Sequence, residues 1–243
     1  MAGKLSPLLL FSVEKLHVLL PVMLALYVLR LSMIFRRPAA RDRQSPTGSQ
    51  ATSALKGAGW SLLAVAMPGR MPSLRTNRFF YIQFLALHAG IAVTMATSYI
   101  FTYRPDLLAP PAVSVAVRLF VLAGLTAGGL RMYRRLFDIY VRAISTPDDY
   151  FTLALVLVWM ALCLIAVGEA PAFAAASGFT SNPTVGNLHE IPVVAFFILT
   201  GFLHIYAPFS KIFHYVYYPF SRWYLGKSLG HRGVFPLQNH RAP

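Results

Sequence analysis

Five apolar stretches, each long enough to cross a lipid bilayer, constrain the fold of this 243-residue chain. A transmembrane helix needs about 20 apolar residues, because the hydrocarbon core is about 30 Å thick. In this chain 56% of the residues are hydrophobic and 12% are charged. The stretches show no strand-like alternation, so we predict an all-α integral membrane bundle of five transmembrane helices. The predicted spans are residues 16–35, 79–103, 112–132, 150–168 and 188–213.

The first apolar stretch could be mistaken for a secretory signal peptide. It lacks a convincing small-residue cleavage site, and it runs directly into Ile34-Phe35-Arg36-Arg37. Signal peptides end at a small-residue site of that kind. We therefore interpret the first stretch as a helix that is retained in the protein.

The distribution of positive charge predicts how the spans are oriented. The formal net charge is +14, which in a soluble protein would suggest a nucleic-acid partner. Here most of the basic residues lie between the first two spans, after the third span and in the tail, whereas the 169–187 loop has no Lys or Arg. Basic loops stay in the cytoplasm. We therefore predict an outer N-terminus, a cytoplasmic C-terminus and no nucleic-acid partner.

Outside the spans, the sequence predicts two cytoplasmic segments. Residues 38–77 form the only long linker, and their Ser, Thr, Gly and Pro content predicts flexibility. Trp60–Met67 within this linker is apolar but too short to span. An aromatic and basic tail covers residues 215–243. We treat residues 1–243 as a single membrane domain.

The single cysteine excludes some cofactors, and the glycines of the third span indicate where another group can approach the backbone. Cys163 is the only cysteine and lies inside the fourth span, which excludes an internal disulfide and a Cys-ligated iron–sulfur cluster. We interpret it as a packing residue. The third span contains Gly124, Gly128 and Gly129, which let a neighbouring helix or a flat cofactor approach the backbone. Helix packing is the simpler interpretation.

Histidines near the bilayer are costly unless they have a use, and haem iron is a common use. His88 lies ten residues into the second span, which is about 15 Å along a helix. His204 and His214 lie in the cytoplasmic half of the fifth span, so depth allows either to share one iron with His88. On one continuous helix they would point about 80° apart. We expect one of them to bind iron, and the sequence leaves open which one. The tail histidines, His231 and His240, are predicted to be solvated.

A second pair matched in depth consists of His17 and His189, each at the outer end of its span. His189 is 25 residues before His214, which on one helix returns to within about 20° of the same face. Two stacked haems, one near each surface, would suit this geometry. The alternative is contact with headgroups or water. His17, His189 and Glu190 are also candidate proton acceptors for quinone chemistry.

Arg118 is a charge in the outer half of the third span. An unpaired guanidinium is costly there, so we expect a partner. The candidates are a haem propionate, a quinone carbonyl or one of three acids, Asp106, Glu169 and Glu190. The alternative is that the side chain extends to the outer interface.

Two stretches of the chain resemble the cytochrome b, or gamma, subunit of respiratory nitrate reductase and its relatives. The first comprises Arg134-Arg135-Leu136-Phe137, Val141-Arg142-Ala143 and Thr146-Pro147-Asp148-Asp149, and the second comprises Pro208-Phe209-Ser210-Lys211 with His214. The predicted five-span topology also matches. In that family two b-type haems lie between the second and fifth helices, each bound by one histidine from each helix.

The resemblance implies that His88 and His214 bind the haem nearer the cytoplasm. The family's other ligand positions are Ser98 and Phe196 here. The second haem is therefore either absent or held differently, and His17 with His189 is the substitute that we expect. The cofactors implied are one or two b-type haems, with quinone as a candidate substrate.

The resemblance also implies a role in electron transport. Relatives serve as membrane cytochromes of heterodisulfide-reductase-like, sulfite-reductase-associated and periplasmic hydrogenase complexes. We therefore expect a respiratory-chain subunit of an oxidoreductase complex in a prokaryotic inner membrane. It would pass electrons between quinone, or a periplasmic hydrogenase or cytochrome, and a cytoplasmic iron–sulfur or redox subunit. No catalytic residue is assigned. The alternatives are a haem-free membrane anchor and a small transporter, although the repeats and paired intramembrane acids of transporters are not evident.

Overall fold

The computed structural model describes residues 5–36, 48, 52–64, 77–179 and 188–236, apart from the side chains of His17 and Leu20. Within these residues the chain is helical and contains no strand, which confirms the all-α prediction. The helices are α1 (Pro7–Phe35), α2 (Ala54–Leu63), α3 (Arg78–Tyr103), α4 (Pro111–Phe137), α5 (Ile139–Ala143), α6 (Pro147–Ala166), α7 (Ala170–Ala176), α8 (Glu190–Tyr206) and α9 (His214–His231).

Five helical segments of the described residues are long and apolar enough to cross a membrane. They are Pro7–Phe35, Arg78–Tyr103, Pro111–Phe137, Pro147–Ala176 and Glu190–Phe209. The fourth includes a 3₁₀ turn, Val167–Glu169, between α6 and α7. By length and composition, therefore, this is a multi-pass membrane protein with the predicted number of spans.

Backbone contacts divide the chain into two compact units. The first unit draws on Met1–Leu26 and Ile82–Lys211, and the second on Tyr27–Tyr81 and Ile212–Pro243. The first unit contains most of the apolar helical length, and the second contains α2 and α9.

Glycines set the spacing of helices in the first unit. A Cβ atom added at Gly124 would lie 2.9 Å from the Cα atom of Gly90, so α3 and α4 approach backbone to backbone. A Cβ atom at Gly128 would lie 2.5 Å from a leucine side chain of α6, whereas Gly129 faces open space. The helix-packing interpretation is thus confirmed for Gly124 and Gly128.

The predicted fifth span is interrupted near its end. Helix α8 ends at Tyr206 and is followed by two 3₁₀ turns, Ala207–Phe209 and Lys211–Phe213. Ser210 between them is extended, with φ −105° and ψ 178°. Helix α9 then begins at His214. The prediction of a continuous helix through residues 188–213 is therefore wrong.

Proline chemistry contributes to the interruption, although Pro21 in α1 and Pro219 in α9 lie inside continuous helices. Pro208 has no backbone N–H, so it cannot donate the helical hydrogen bond to the carbonyl of His204, four residues earlier. The predicted angle of about 80° between His204 and His214 required a continuous helix. The predicted shared face of His189 and His214 required one too, so neither prediction applies to the interrupted segment.

In the second unit, α2 and α9 pack through glycine. A Cβ atom added at Gly57 would lie 2.5 Å from the Cα atom of Gly230, and one added at Gly226 would lie 2.7 Å from the Cα atom of Ala58. The Thr52 hydroxyl also donates a hydrogen bond to the Gly230 carbonyl at 3.0 Å. Residues 54–63 of the predicted flexible linker thus pair with α9, which from residue 215 onward lies in the predicted tail.

Candidate functional site

The two stretches that carry the resemblance meet at the N-terminal end of α6. Thr146 precedes this helix, and its backbone N–H and hydroxyl both donate to one carboxylate oxygen of Asp149, each at 2.9 Å. Lys211 donates to the other carboxylate oxygen at 2.8 Å and to the Thr146 hydroxyl at 3.0 Å. Lys211 and Asp149 are 62 residues apart in the chain. The first stretch therefore caps the helix, and the second neutralises the capping carboxylate.

The end of α4 joins the same cluster. Arg135 donates to the Ser145 hydroxyl at 2.7 Å and lies 4.0 Å from the Asp149 carboxylate. Ser145 donates to the Val141 carbonyl at 2.7 Å, and Tyr150 donates to the Arg135 carbonyl at 2.8 Å. These bonds fix the turn between α4 and α6. The cluster holds helix ends together within the first unit.

A tyrosine ties the end of α8 to α6. The Tyr206 hydroxyl donates to the Asp148 carboxylate at 2.8 Å and lies 2.9 Å from the Thr152 hydroxyl. Its ring also packs edge-on against Phe151 at a centroid distance of 5.6 Å. Both acids of the first stretch are thus paired with groups near the end of the last span.

His204 lies in the core, where 2% of its surface is exposed. Its Nδ1 atom lies 2.7 Å from the Thr200 carbonyl oxygen, which can only accept, so Nδ1 carries a proton. Its Nε2 atom lies 3.2 Å from the Tyr99 hydroxyl. The Thr200 hydroxyl accepts the indole N–H of Trp159 at 2.8 Å. His204 is therefore part of a buried network in which both ring nitrogens are hydrogen-bonded.

His88 has a similar backbone bond but a different setting. Its Nδ1 atom lies 2.8 Å from the Phe84 carbonyl oxygen, and its side chain is exposed on α3. Its ring packs on that of Phe84 at a centroid distance of 4.1 Å. The carbonyl fixes the proton on Nδ1, so Nε2 carries the lone pair that a metal ligand needs.

The predicted outer pair is only partly described. His189 precedes α8, its side chain is exposed, and its backbone N–H donates to the Glu169 carboxylate at 3.0 Å. The Glu190 carboxylate accepts the backbone N–H of Ser6 at 2.8 Å. The side chain of His17 lies outside the described residues. Pairing of His17 with His189 therefore stays a prediction.

His214 belongs to the second unit, whereas His88 and His204 belong to the first. It is the first residue of α9, and its side chain is exposed. Its pairing with His88 stays a prediction from sequence.

Arg118 is exposed on α4, and its guanidinium lies against Gly168. Among the described residues, no carboxylate lies within ion-pair distance of it. Asp106 instead pairs with Arg104 at 2.8 Å, and the hydrogen bond from Arg104 holds the pKa of Asp106 below its ordinary value. The other two candidate acids accept the backbone bonds described above. The predicted acid partners are therefore engaged elsewhere.

The residues fit a haem unequally. An axial imidazole normally donates its second ring N–H to an acceptor, and both His88 and His204 meet that condition. Nε2 of His204, however, lies against Tyr99 in a packed core, so this histidine does not fit as it stands. His88 lies at the helix surface, and the bond from its Nδ1 atom to the Phe84 carbonyl is the arrangement expected of an axial ligand. Two open concavities of the first unit, about 190 and 330 Å³, are lined by no histidine.

A metal centre with three or more protein ligands has less support than an axial haem site. No group of three or more His, Cys, Asp or Glu side chains is placed to hold a metal ion within the described part of the chain. An axial haem site needs only two such ligands, so this observation does not bear on it.

Several residues of this region were not predicted from the sequence. Tyr99 bonds to His204, and Tyr206 bonds to Asp148. The sequence of a span does not indicate which residue a tyrosine in it will contact. The close contact of α2 with α9 had a local signal, since Gly226 and Gly230 have the spacing of small residues that lets helices approach. Trp60 on α2 packs on Phe235 at a centroid distance of 4.5 Å.

The fold and these contacts define a multi-pass helical membrane protein with a buried histidine network and an ionic clamp at one end of α6. No protein-family model matches the chain, and neither a curated protein nor a solved structure matches it.

Proposed function

We propose that this protein is a membrane cytochrome b. It binds one or two b-type haems and passes electrons between the quinone pool, or an outer-face partner, and a cytoplasmic iron–sulfur or redox subunit. Bound haem would supply a one-electron iron couple. In this proposal the N-terminus is outside, the C-terminus is cytoplasmic, and the membrane is the inner membrane of a prokaryote.

The proposal rests mainly on the hydrogen bond and the exposure of the His88 side chain. Its Nδ1 proton is held by the Phe84 carbonyl on a membrane-spanning helix, and its side chain is exposed there. An imidazole on an apolar helix needs a polar use, and the proton held on Nδ1 selects the tautomer in which Nε2 carries the lone pair that iron would bind. The meeting of the two resembling stretches through Lys211 and Asp149 is consistent with the proposal.

The test is a haem count per chain. We expect the purified protein to show a b-type reduced-minus-oxidised spectrum, and His88→Ala to lose at least one haem per chain in a pyridine haemochrome assay. His204→Ala should retain haem, because Nε2 of His204 already lies against Tyr99. His231→Ala, at an exposed position on α9, is the matched control. Full haem content in His88→Ala would overturn the assignment.

The remaining ligands are assigned by the same assay. His214→Ala tests the inner ligand that the resemblance implies, and His17→Ala with His189→Ala tests the outer pair. One haem per chain would leave the outer histidines for quinone chemistry.

A haem-free membrane anchor is the second candidate. It is favoured by the His204 network, in which a histidine of a span is explained by hydrogen bonds alone. Absence of haem from the purified wild-type protein, after expression with added haem precursor, would select this candidate.

A further inference from the structure

A positive charge on the exposed surface of α4 has no counter-charge among the described residues of the first unit. Arg118 lies seven residues after α4 begins at Pro111, which is about 10 Å along the helix. Its side chain is exposed. A guanidinium at this depth of a membrane-spanning helix costs free energy unless an anion or water reaches it.

No acid of the described residues supplies that anion. The chain has eight acidic residues, of which only Asp42 lies outside the described part. None of the other seven lies within ion-pair distance of Arg118. Any counter-charge for Arg118 therefore comes from outside the described residues.

The surroundings of Arg118 suit a molecule with an apolar body. An open concavity of about 330 Å³ lies beside it, lined otherwise by Val115, Leu119, Leu122 and Leu164. The guanidinium occupies the space that a side chain at position 168 would fill, because a Cβ atom on Gly168 would lie 2.5 Å from an Nη atom of Arg118. The glycine thus makes room for the charge at the edge of an apolar groove.

We propose that Arg118 and this groove bind an anionic phospholipid. Its phosphodiester lies on the guanidinium, and an acyl chain lies along the leucine and valine side chains. Phosphate oxygens match the fork of an arginine and carry the charge that the site needs. A quinone carbonyl is neutral, so it would leave the charge of Arg118 uncompensated. This proposal does not depend on haem binding.

Native mass spectrometry of the detergent-purified protein tests the proposal with phosphatidylglycerol as the probe. Wild-type protein should retain one more phosphatidylglycerol per chain than Arg118→Gln, and Arg118→Gln should bind that lipid at least about tenfold more weakly. Arg142→Gln removes one exposed charge elsewhere and should retain the wild-type number. Phosphatidylcholine, whose choline cancels the phosphate charge, and inorganic phosphate, which lacks acyl chains, should not replace the retained lipid.

A pair of glycine variants tests the geometry without removing the arginine. Gly168→Ala should displace the guanidinium and lose the retained lipid, whereas Gly129→Ala, where the added Cβ atom meets nothing within 4 Å, should keep it. Equal lipid retention by wild type and Arg118→Gln would overturn the proposal and leave Arg118 hydrated at the interface. Equal retention of phosphatidylcholine and phosphatidylglycerol would also overturn it, since anionic charge would then be irrelevant.

Discussion

At the scale of single residues, the hydrogen bond between Tyr99 and His204 explains how a histidine lies inside the apolar core. Tyr99→Phe removes the hydroxyl and leaves Nε2 of His204 without that partner, at a site where 2% of the histidine is exposed. Leaving a buried polar group unsatisfied costs about 1–3 kcal/mol. We therefore expect a lower thermal unfolding temperature in detergent, with unchanged haem content.

The control for this substitution is Tyr133→Phe on α4, where the tyrosine is 60% exposed and its hydroxyl should matter little. If Tyr99→Phe unfolds at the wild-type temperature, the bond contributes nothing to stability. Loss of haem from Tyr99→Phe would mean that His204 takes part in the haem site after all.

The sequence indicated which polar residues of the spans needed partners, because imidazole and guanidinium groups are costly in lipid. It could not name those partners. Tyr99 is 105 residues from His204 in the chain, and only the packing of α3 against α8 brings them together. For Arg118 three acids were considered, but each accepts a hydrogen bond from another group.

At the scale of helices, the α2–α9 pair depends on backbone contact at glycine. Alanine normally stabilises a helix by about 0.5–1 kcal/mol relative to glycine. Gly57→Ala should instead destabilise the protein, by about 1–3 kcal/mol, because its Cβ atom would lie 2.5 Å from the Cα atom of Gly230. The measurement is the unfolding temperature of each variant in the same detergent.

Gly59→Ala is a matched control two residues further along α2, where an added Cβ atom meets nothing within 4 Å. It should be neutral or stabilising. Equal effects of the two substitutions would show that α2 and α9 do not pack in this register.

The sequence predicted that the five long helices exist, but it predicted where they end less well. Each of the five spans has enough apolar length to be recognised without tertiary information. The end of α8 lies next to Pro208, and average hydropathy does not mark it because Phe209, Ile212 and Phe213 offset the polar residues among them. Helix α2 is 10 residues long, and isolated helices shorter than about 12 residues are marginal. Its packing on α9, which composition cannot show, explains its formation.

At the scale of the whole molecule, charge rather than packing determines which side of the membrane each loop occupies. The loop between α3 and α4 has one basic residue, Arg104, which is paired with Asp106. The turn between α4 and α6 follows Arg134 and Arg135 and contains Arg142. Positive loops stay in the cytoplasm, so we expect the first loop outside and the second turn inside.

Cysteine labelling in spheroplasts measures this orientation. The native Cys163 is buried in α6, so the wild-type protein should give no signal with a membrane-impermeant maleimide. Leu107→Cys, at a position 49% exposed, should react in intact spheroplasts, and Ile144→Cys, at a position 81% exposed, should react only after permeabilisation. The reverse pattern would place the ionic clamp of Lys211 and Asp149 at the outer face. The C-terminus would then be outside, and the proposed cytoplasmic location of the iron–sulfur or redox partner would lose its basis.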